Sequence, residues 1–514
     1  MLGLALQFTR RLPTVVSWAV SLGILWLAWG AYGWNREAVF FDGQTYFADG
    51  DCYARMTRVR QMGGSPWEVV RHHAFENFPD GTAPHATWPL DGLIWGLAQV
   101  ARPFAADPLP LAGAVVSPLL GLLALLVLAV AWRGVRFHQA SLFLLAVSPM
   151  AVQGFLLGRP DHQSLQMLVL LVALMAELKI WSSGRGGMVS AVAWAAALWV
   201  SLFEPAILLG AVLLARVAGR RLKVSGRPLA AFAGILLLGG AWDGFRVAAF
   251  DSHFARWALN IGELRHGGLP LMASWVGWLV VPAPLLLAWR ALREREAAAG
   301  LMAWLLVLLI GLTLWNVRWG YFLVLVFALS LPLLLTVFRW RWAGWAVFLV
   351  SLWPVAADWD NRLYPDDEVF RSRAEGVADA VALRDAALAL RGLPEGGVMA
   401  PWWFSPAVVW WSGQPCVAGS SHQSLPGIVD TAEFFLSEGD GREILARRNV
   451  RYIIAYEPDR VVSNSAQILG RPGPPEPLAR RLYHHPGGEE ARLVYANRFF
   501  KVFEARAVQP LSAE

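Results

Sequence analysis

The stretch PLAGAVVSPLLGLLALLVLAVA, positions 110–131, carries no charged residue. Runs of this kind decide what the chain can become, because roughly 20 apolar residues are enough to cross a bilayer as a helix. By hydropathy there are about eleven, some of them short. They lie near 13–34, 110–131, 139–157, 164–181, 188–201, 205–217, 229–245, 271–289, 299–315, 320–338 and 342–358. A chain of 514 residues that is 56% hydrophobic and 16% charged, with a mean hydropathy of +0.44, is a multi-pass membrane protein rather than a soluble domain. Its 28 tryptophans agree, since indole rings favour the membrane–water boundary.

The net charge of +6 does not indicate nucleic acid, because the basic residues are spread among short loops. Arg10 and Arg11, Arg133 and Arg136, Lys179 and Arg185, RVAGRRLKVSGR (216–227), RALRERE (290–296) and RWR (339–341) fall in alternate loops. The positive-inside rule assigns those loops to the cytoplasm. The other loops, with Asp49, Asp51, Asp161, Glu204, Glu263 and Arg318, then face outward, as does everything from about Trp359. The segment 188–217 reads as two short spans broken at FEP or as one long span. One span would set Asp161 and Glu263 on opposite faces. The first run lacks a small-residue cleavage site and reads as a retained span. Cys52 and Cys416 allow at most one bridge.

Residues 1–358 thus form the membrane domain and 359–514 a second, more charged region that reads as a soluble α/β domain. DAVALRDAALALRGL (379–393) has helical spacing, VRYIIAYE (450–457) reads as a buried strand, and ARLVYANRFFKVFEA (491–505) as two strands around a turn.

Ionisable groups at the ends of membrane spans are costly and mark candidate sites. Asp49 and Asp51, in YFADGDCYARMTRVRQM, are either helix caps or ligands for a hard divalent cation. Asp161 could cap the following helix, but GRPDHQ also packs a cation, a carboxylate and His162 into one turn. Glu263 alone would be a solvated glutamate, and Glu204 reads as structural. Arg318 is either a snorkelling interfacial side chain or an anion clamp, since guanidinium grips phosphate through two donors. His72, His73 and His85 are loop histidines. Together, three loops offer a carboxylate and a fourth an arginine, a set suited to a metal and a phosphate-bearing lipid head group.

In this order the motifs resemble those of the catalytic subunit of oligosaccharyltransferases, membrane glycosyltransferases of the GT-C superfamily. DCYARMTRVRQM resembles the family's first acidic motif, GRPDHQ its second, NIGE the glutamate motif of the long external loop, NVRWGYF the arginine segment, and APWWFSPAVVWW (400–411) the region of the W-W-D motif. The resemblance implies a polytopic α-helical GT-C fold of about 11–13 transmembrane helices with a C-terminal α/β domain. It implies Asp51 and Glu263 as catalytic groups and Asp51, Asp161 and Glu263 as ligands of Mn²⁺ or Mg²⁺, with His85, His162 and Gln163 as further candidates. Arg318 would bind the phosphate of a polyprenyl-linked glycan donor, and Trp402, Trp403 and Phe404 would face a peptide or other glycan acceptor. The reaction would be an inverting transfer on the outer face of the plasma membrane, among membrane lipids and without nucleic acid. Two departures stand out. Gln163 replaces the second acid of the second motif, and Phe404 replaces the aspartate that would accept the hydroxyl of a Ser/Thr sequon, so sequon reading should be altered or absent. A GT-C transferase moving one sugar from a polyprenyl monophosphate to a lipid or polysaccharide is the alternative. A transporter would show mid-span charges and an inverted repeat of broken helices, and the sequence has neither.

Overall fold

The structure, a computed structural model, describes residues 14–65, 67–83, 87–221, 225–244, 252–486 and 491–506. Among the described residues four helices are long and apolar enough to cross a membrane by length and composition: Pro108–Ala131, His162–Ser183, Ala297–Trp315 and Val317–Leu335. Helices suit these runs because backbone groups without water must pair within their own segment. The last of the four is central: 94% of its most apolar stretch is buried, against 50% for Ala297–Trp315 beside it.

Several sequence-predicted spans are divided. The run 139–157 becomes His138–Val147 and Pro149–Gly154, because Pro149 has no N–H to continue the ladder and Ser148 caps the second piece through Ala151 N (3.5 Å). The run 271–289 becomes Leu269–Val276 and Ala283–Arg293 around a short 3₁₀ turn. The run 342–358 becomes Arg341–Ser351 and Trp353–Leu363, and the second helix runs across the expected domain boundary at 358/359.

The ambiguous segment 188–217 folds as Gly187–Val200 and Phe203–Ala218. Their directions follow from two polar contacts with the helix His162–Ser183. Near that helix's start Gln166 Nε2 meets Glu204 (3.4 Å), and further along the same helix Glu177 pairs with Arg216 (2.6 Å). Phe203–Ala218 therefore runs parallel to His162–Ser183, and Gly187–Val200 returns between them. The segment is thus two helices and not one continuous helix.

The loop helix Gly50–Gln61 is more enclosed than an amphipathic surface helix: every residue from Cys52 to Val59 is buried. Two of these are Arg55 and Arg58, and both pair with Asp91 of the helix Trp88–Ala101 (2.7 and 2.6 Å). A buried charge requires such a partner. Cys52 and Cys416 are free and buried, so no bridge joins them.

The C-terminal region holds a four-stranded sheet. Gly397–Met399 lies parallel to Val450–Ala455, which pairs antiparallel with Lys501–Ala505, and that strand with Ala491–Ala496. The helices Asp367–Leu388, Ser405–Ser412, Leu425–Leu436 and Pro458–Leu469 complete the α/β unit.

The segment 73–82 fastens this unit to the membrane region. Phe78 N donates to Cys416 O and Cys416 N to Phe75 O (both 3.1 Å), and Arg448 joins Asp80 (3.0 Å) to Asp430 (2.6 Å). Glu76 is buried, accepting from Ser421 (3.0 Å) and Ser424 (2.9 Å) with His73 Nδ1 at 3.5 Å. Burial alone would raise its carboxyl, but His73, Ser424 and Ser421 outweigh burial and hold it down at about 2. A carboxyl whose folded value lies below its ordinary 4.5 stabilises the fold above pH 4.5, and that contribution disappears as the pH falls toward 2. Glu76→Gln is expected to cost about 2–3 kcal/mol at neutral pH and to flatten the acid side of the unfolding curve. Thermal unfolding of both proteins from pH 7 to pH 3 measures this, and parallel curves would contradict it.

Candidate active site

The turn Gly158–Gln163 gathers the site. Gly158 has a positive φ of 76° and no room for a Cβ, which would lie 2.7 Å from Val39 Cγ2. Its carbonyl accepts from Ala48 N (2.9 Å), which lays the Asp49–Asp51 segment against the Asp161 turn. Asp161 caps the helix His162–Ser183 through His162 N (2.6 Å), contacts His162 Nδ1 (2.7 Å), and lies 3.7 Å from Arg159. Burial works to raise its carboxyl, but His162, Arg159 and Arg55 together hold it well below the usual carboxylate range.

Asp49 is the cap of the loop helix, accepting from Cys52 N (3.0 Å). That leaves Asp51, the second residue of the helix, without a capping duty. Asp51 keeps solvent access while protein encloses its other sides. This enclosure, with the charges of Asp49, Asp161 and Glu263, pushes its carboxyl up to about 8.

Glu263 lies in the 3₁₀ turn Gly262–Leu264. It accepts from Arg159 Nη2 (2.5 Å) and Tyr321 Oη (3.0 Å) and is 4.0 Å from Arg318 Nη1. The loop around it is held at both ends. On one side Arg256 donates to Leu469 O (2.9 Å) and Asn464 to Asn260 Oδ1 (2.8 Å). On the other, Val317 N donates to Arg265 O (2.9 Å) and Gly267 N to Leu314 O (3.1 Å). A Cβ at Gly267 would collide with the Thr313 carbonyl, so this close passage requires glycine.

Arg318 sits in the turn Val317–Trp319, positioned by its own N–H on Asn316 Oδ1 (3.0 Å). Its Nε donates to Glu204 (2.7 Å) and its Nη2 lies 3.1 Å from His162 Nε2, leaving the side chain 30% exposed toward Glu263.

The structure thus places Asp51, Asp161, His162, Glu263 and Arg318 at one end of the helices. It adds three residues to which the sequence had assigned no role there. Arg159 ties Asp161 to Glu263, Tyr321 donates to Glu263, and Glu204 is the buried counter-ion of Arg318. Arg159 and Tyr321 lie inside the quoted motifs GRPDHQ and NVRWGYF, which was the available signal.

Other candidates sit differently. Both ring nitrogens of His162 already face protein groups. The Gln163 amide lies against the Asp161 carboxylate, and with its nitrogen turned to that side it donates to Oδ1 (2.9 Å). His85 lies outside the described residues. The expectation that Phe404 faces an acceptor is corrected. Its side chain is 6% exposed, packed edge-on against Tyr456 (5.6 Å) and Phe500 (5.4 Å), as an apolar ring in the aspartate's position would be. Trp402 is half-buried, with Trp257 across its ring (5.5 Å) and Nε1 on Asn464 Oδ1 (3.0 Å), while Trp403 sits beside it.

Among the described residues no three His, Cys, Asp or Glu side chains draw close enough to hold a metal ion. In charge and donor type, however, the cluster suits a hard cation. Asp49, Asp51, Asp161 and Glu263 outnumber the nearby guanidiniums, and desolvation first, then the neighbouring carboxylates, make Asp51 resist ionisation.

A bundle of apolar helices with an α/β unit over a charged seam is a fold shared with several solved membrane-enzyme structures. Among solved structures, the chain resembles the oligosaccharyltransferase AglB from Archaeoglobus fulgidus in complex with an inhibitory peptide and a dolichol-phosphate. The TM-score is 0.65 at 14% identity, over 86% of this chain and 69% of that one. It also resembles the Archaeoglobus fulgidus oligosaccharyltransferase complexed with Zn and sulfate (TM-score 0.62, 15% identity, 88% and 70%). ArnT from Cupriavidus metallidurans bound to undecaprenyl phosphate matches over 95% of this chain and 97% of its own (TM-score 0.57, 14% identity). At such identities the shared property is the fold. No family model matches the sequence, and no curated protein matches it.

Proposed function

We propose that the chain is a membrane glycosyltransferase that moves a glycan from a polyprenyl-(pyro)phosphate donor to an acceptor. The observation that carries this reading is the meeting of Arg159, Asp161, Glu263 and Arg318 in one solvent-reachable cluster beside Asp51. Arg318, anchored through Nε on Glu204, keeps Nη1 for a phosphate oxygen. The acceptor oxygen or nitrogen attacks the anomeric carbon from the side opposite the phosphate, the sugar–phosphate C–O bond breaks with its electron pair on the departing phosphate, and configuration inverts. The acceptor's proton passes to Asp51 or Glu263. A bound Mn²⁺ or Mg²⁺, held by Asp51, Asp161 and Glu263, would neutralise charge on the leaving phosphate. The alternating basic loops support an extracytoplasmic site on the plasma membrane.

One observation favours the alternative acceptor. Trp257 of the same chain covers the Trp402 ring and Phe404 is withdrawn into the core, so no carboxylate stands there for a sequon hydroxyl. A lipid or polysaccharide acceptor, served by a polyprenyl monophosphate donor in that alternative, needs no such carboxylate. Mass analysis of the transferred group separates one sugar from an oligosaccharide.

The test of the general reading is Asp51→Ala and Glu263→Ala in correctly inserted protein. Both are expected to abolish transfer, and unaltered turnover in the pair rules the reading out. Chelation with EDTA is expected to stop transfer and Mn²⁺ or Mg²⁺ to restore it, with the ion also raising the unfolding temperature. Full turnover in chelator would remove the metal from the scheme.

A further inference from the structure

A second polar cavity lies at the far end of the loop helix. Arg60 sits nine residues beyond Asp51, about 14 Å along the helix axis, and forms one wall of a space of about 470 Å³. That volume is in the range of small-ligand sites. Arg384 and Arg391 from the C-terminal unit line it too, with Trp410, Trp411 and Asp42.

The three arginines are not equivalent. Arg384 is neutralised by Asp42 (3.1 Å) and Asp385 (3.0 Å). Arg60 donates to the Trp410 carbonyl (2.9 Å) and stacks 3.4 Å from the Trp410 ring centre, making no ion pair among the described residues. Arg391 is exposed and makes none either. Two guanidiniums therefore share a cavity with Asp107 as the remaining carboxylate. Burial lowers the Arg60 guanidinium from its ordinary value, Asp107 opposes this, and the like charge of Arg391 adds to it.

The position narrows the ligand. Pro110, in the lining, belongs to the first turn of the membrane-length helix Pro108–Ala131. Val100 and Phe104 just before it are 67% and 86% exposed, apolar side chains suited to lipid. The cavity thus sits at the level where a bilayer's head groups lie. From the paired arginines, the indole walls and this level we propose that it binds the phosphate of a membrane-lipid head group, with the Trp411 ring against the group that the phosphate carries. This site is separate from the Asp51–Glu263–Arg318 cluster and does not depend on the reading of that cluster.

Native mass spectrometry of the full-length protein, released from nanodiscs of phosphatidylcholine with phosphatidylglycerol, tests it. Wild type is expected to retain phosphatidylglycerol. Arg391→Gln and Arg60→Lys, the second keeping the charge but losing the fork, are each expected to lower retention about tenfold. Arg102→Gln, an exposed arginine outside the lining, should leave retention unchanged. Displacement of the lipid by soluble glycerol 3-phosphate would identify the phosphate ester as sufficient, and resistance to it would identify the anchored head group; both support the site. Equal losses in Arg391→Gln and Arg102→Gln, or a wild type that holds neither lipid nor glycerol phosphate, overturn it.

Discussion

Arg318→Gln is expected to lower glycosyl transfer about a thousand-fold, the scale of removing a positioned charge from a developing anion. The same change also strands Glu204, whose side chain is 3% exposed and whose ion-pair partner is Arg318. Leaving one half of a buried pair costs about 3–5 kcal/mol, so the single variant should be both inactive and fragile. The double variant Arg318→Gln/Glu204→Gln separates these effects. With both charges gone and Gln166 and Ser201 still present to bond the new amide, stability should return while transfer does not. Transfer rates and unfolding temperatures of the three proteins decide the matter. Recovery of transfer in the double variant would remove Arg318 from phosphate binding.

The second large effect concerns the base of the loop helix. Asp91→Asn leaves Arg55 and Arg58, with side chains 5% and 8% exposed, facing an amide instead of a carboxylate. The expected loss is about 3–5 kcal/mol, enough to lower the yield of folded protein sharply. The triple change Arg55→Met, Arg58→Met and Asp91→Leu should restore most of the stability, because apolar replacement of a whole buried ion cluster is commonly neutral or better. Unfolding midpoints in one lipid composition measure both outcomes. A stable Asp91→Asn protein would mean that the arginines find other partners.

The elements legible in the sequence were those whose signal is local. Charge-free runs, carboxylates at their ends and the strands at 450–455 and 491–505 can be recognised within a short window. The broken helices were partly legible through Pro149, but hydropathy averages across such breaks. Counter-ions were not legible. Arg159 finds Glu263 across 104 positions and Arg318 finds Glu204 across 114, and neither sequence neighbourhood marks its partner. The choice between Asp49 and Asp51 as cap also needed coordinates, since both residue types cap well and the Cys52 N–H points to one of them. Phe404 shows the converse error: a motif's position in the order suggested a contact surface, while its apolar ring belongs inside.

The strand of chain bearing Glu263 is pinned at Asn260 and again at Arg265, five residues apart. So short a tether has little slack, and the carboxylate cannot swing far without breaking one pin. A ligand binding beside it would meet a carboxylate whose place was fixed when the chain folded. One pin reaches Asn464 of the C-terminal unit and the other reaches Val317 at the start of a membrane-length helix, so the place of this carboxylate is set by how the two regions dock.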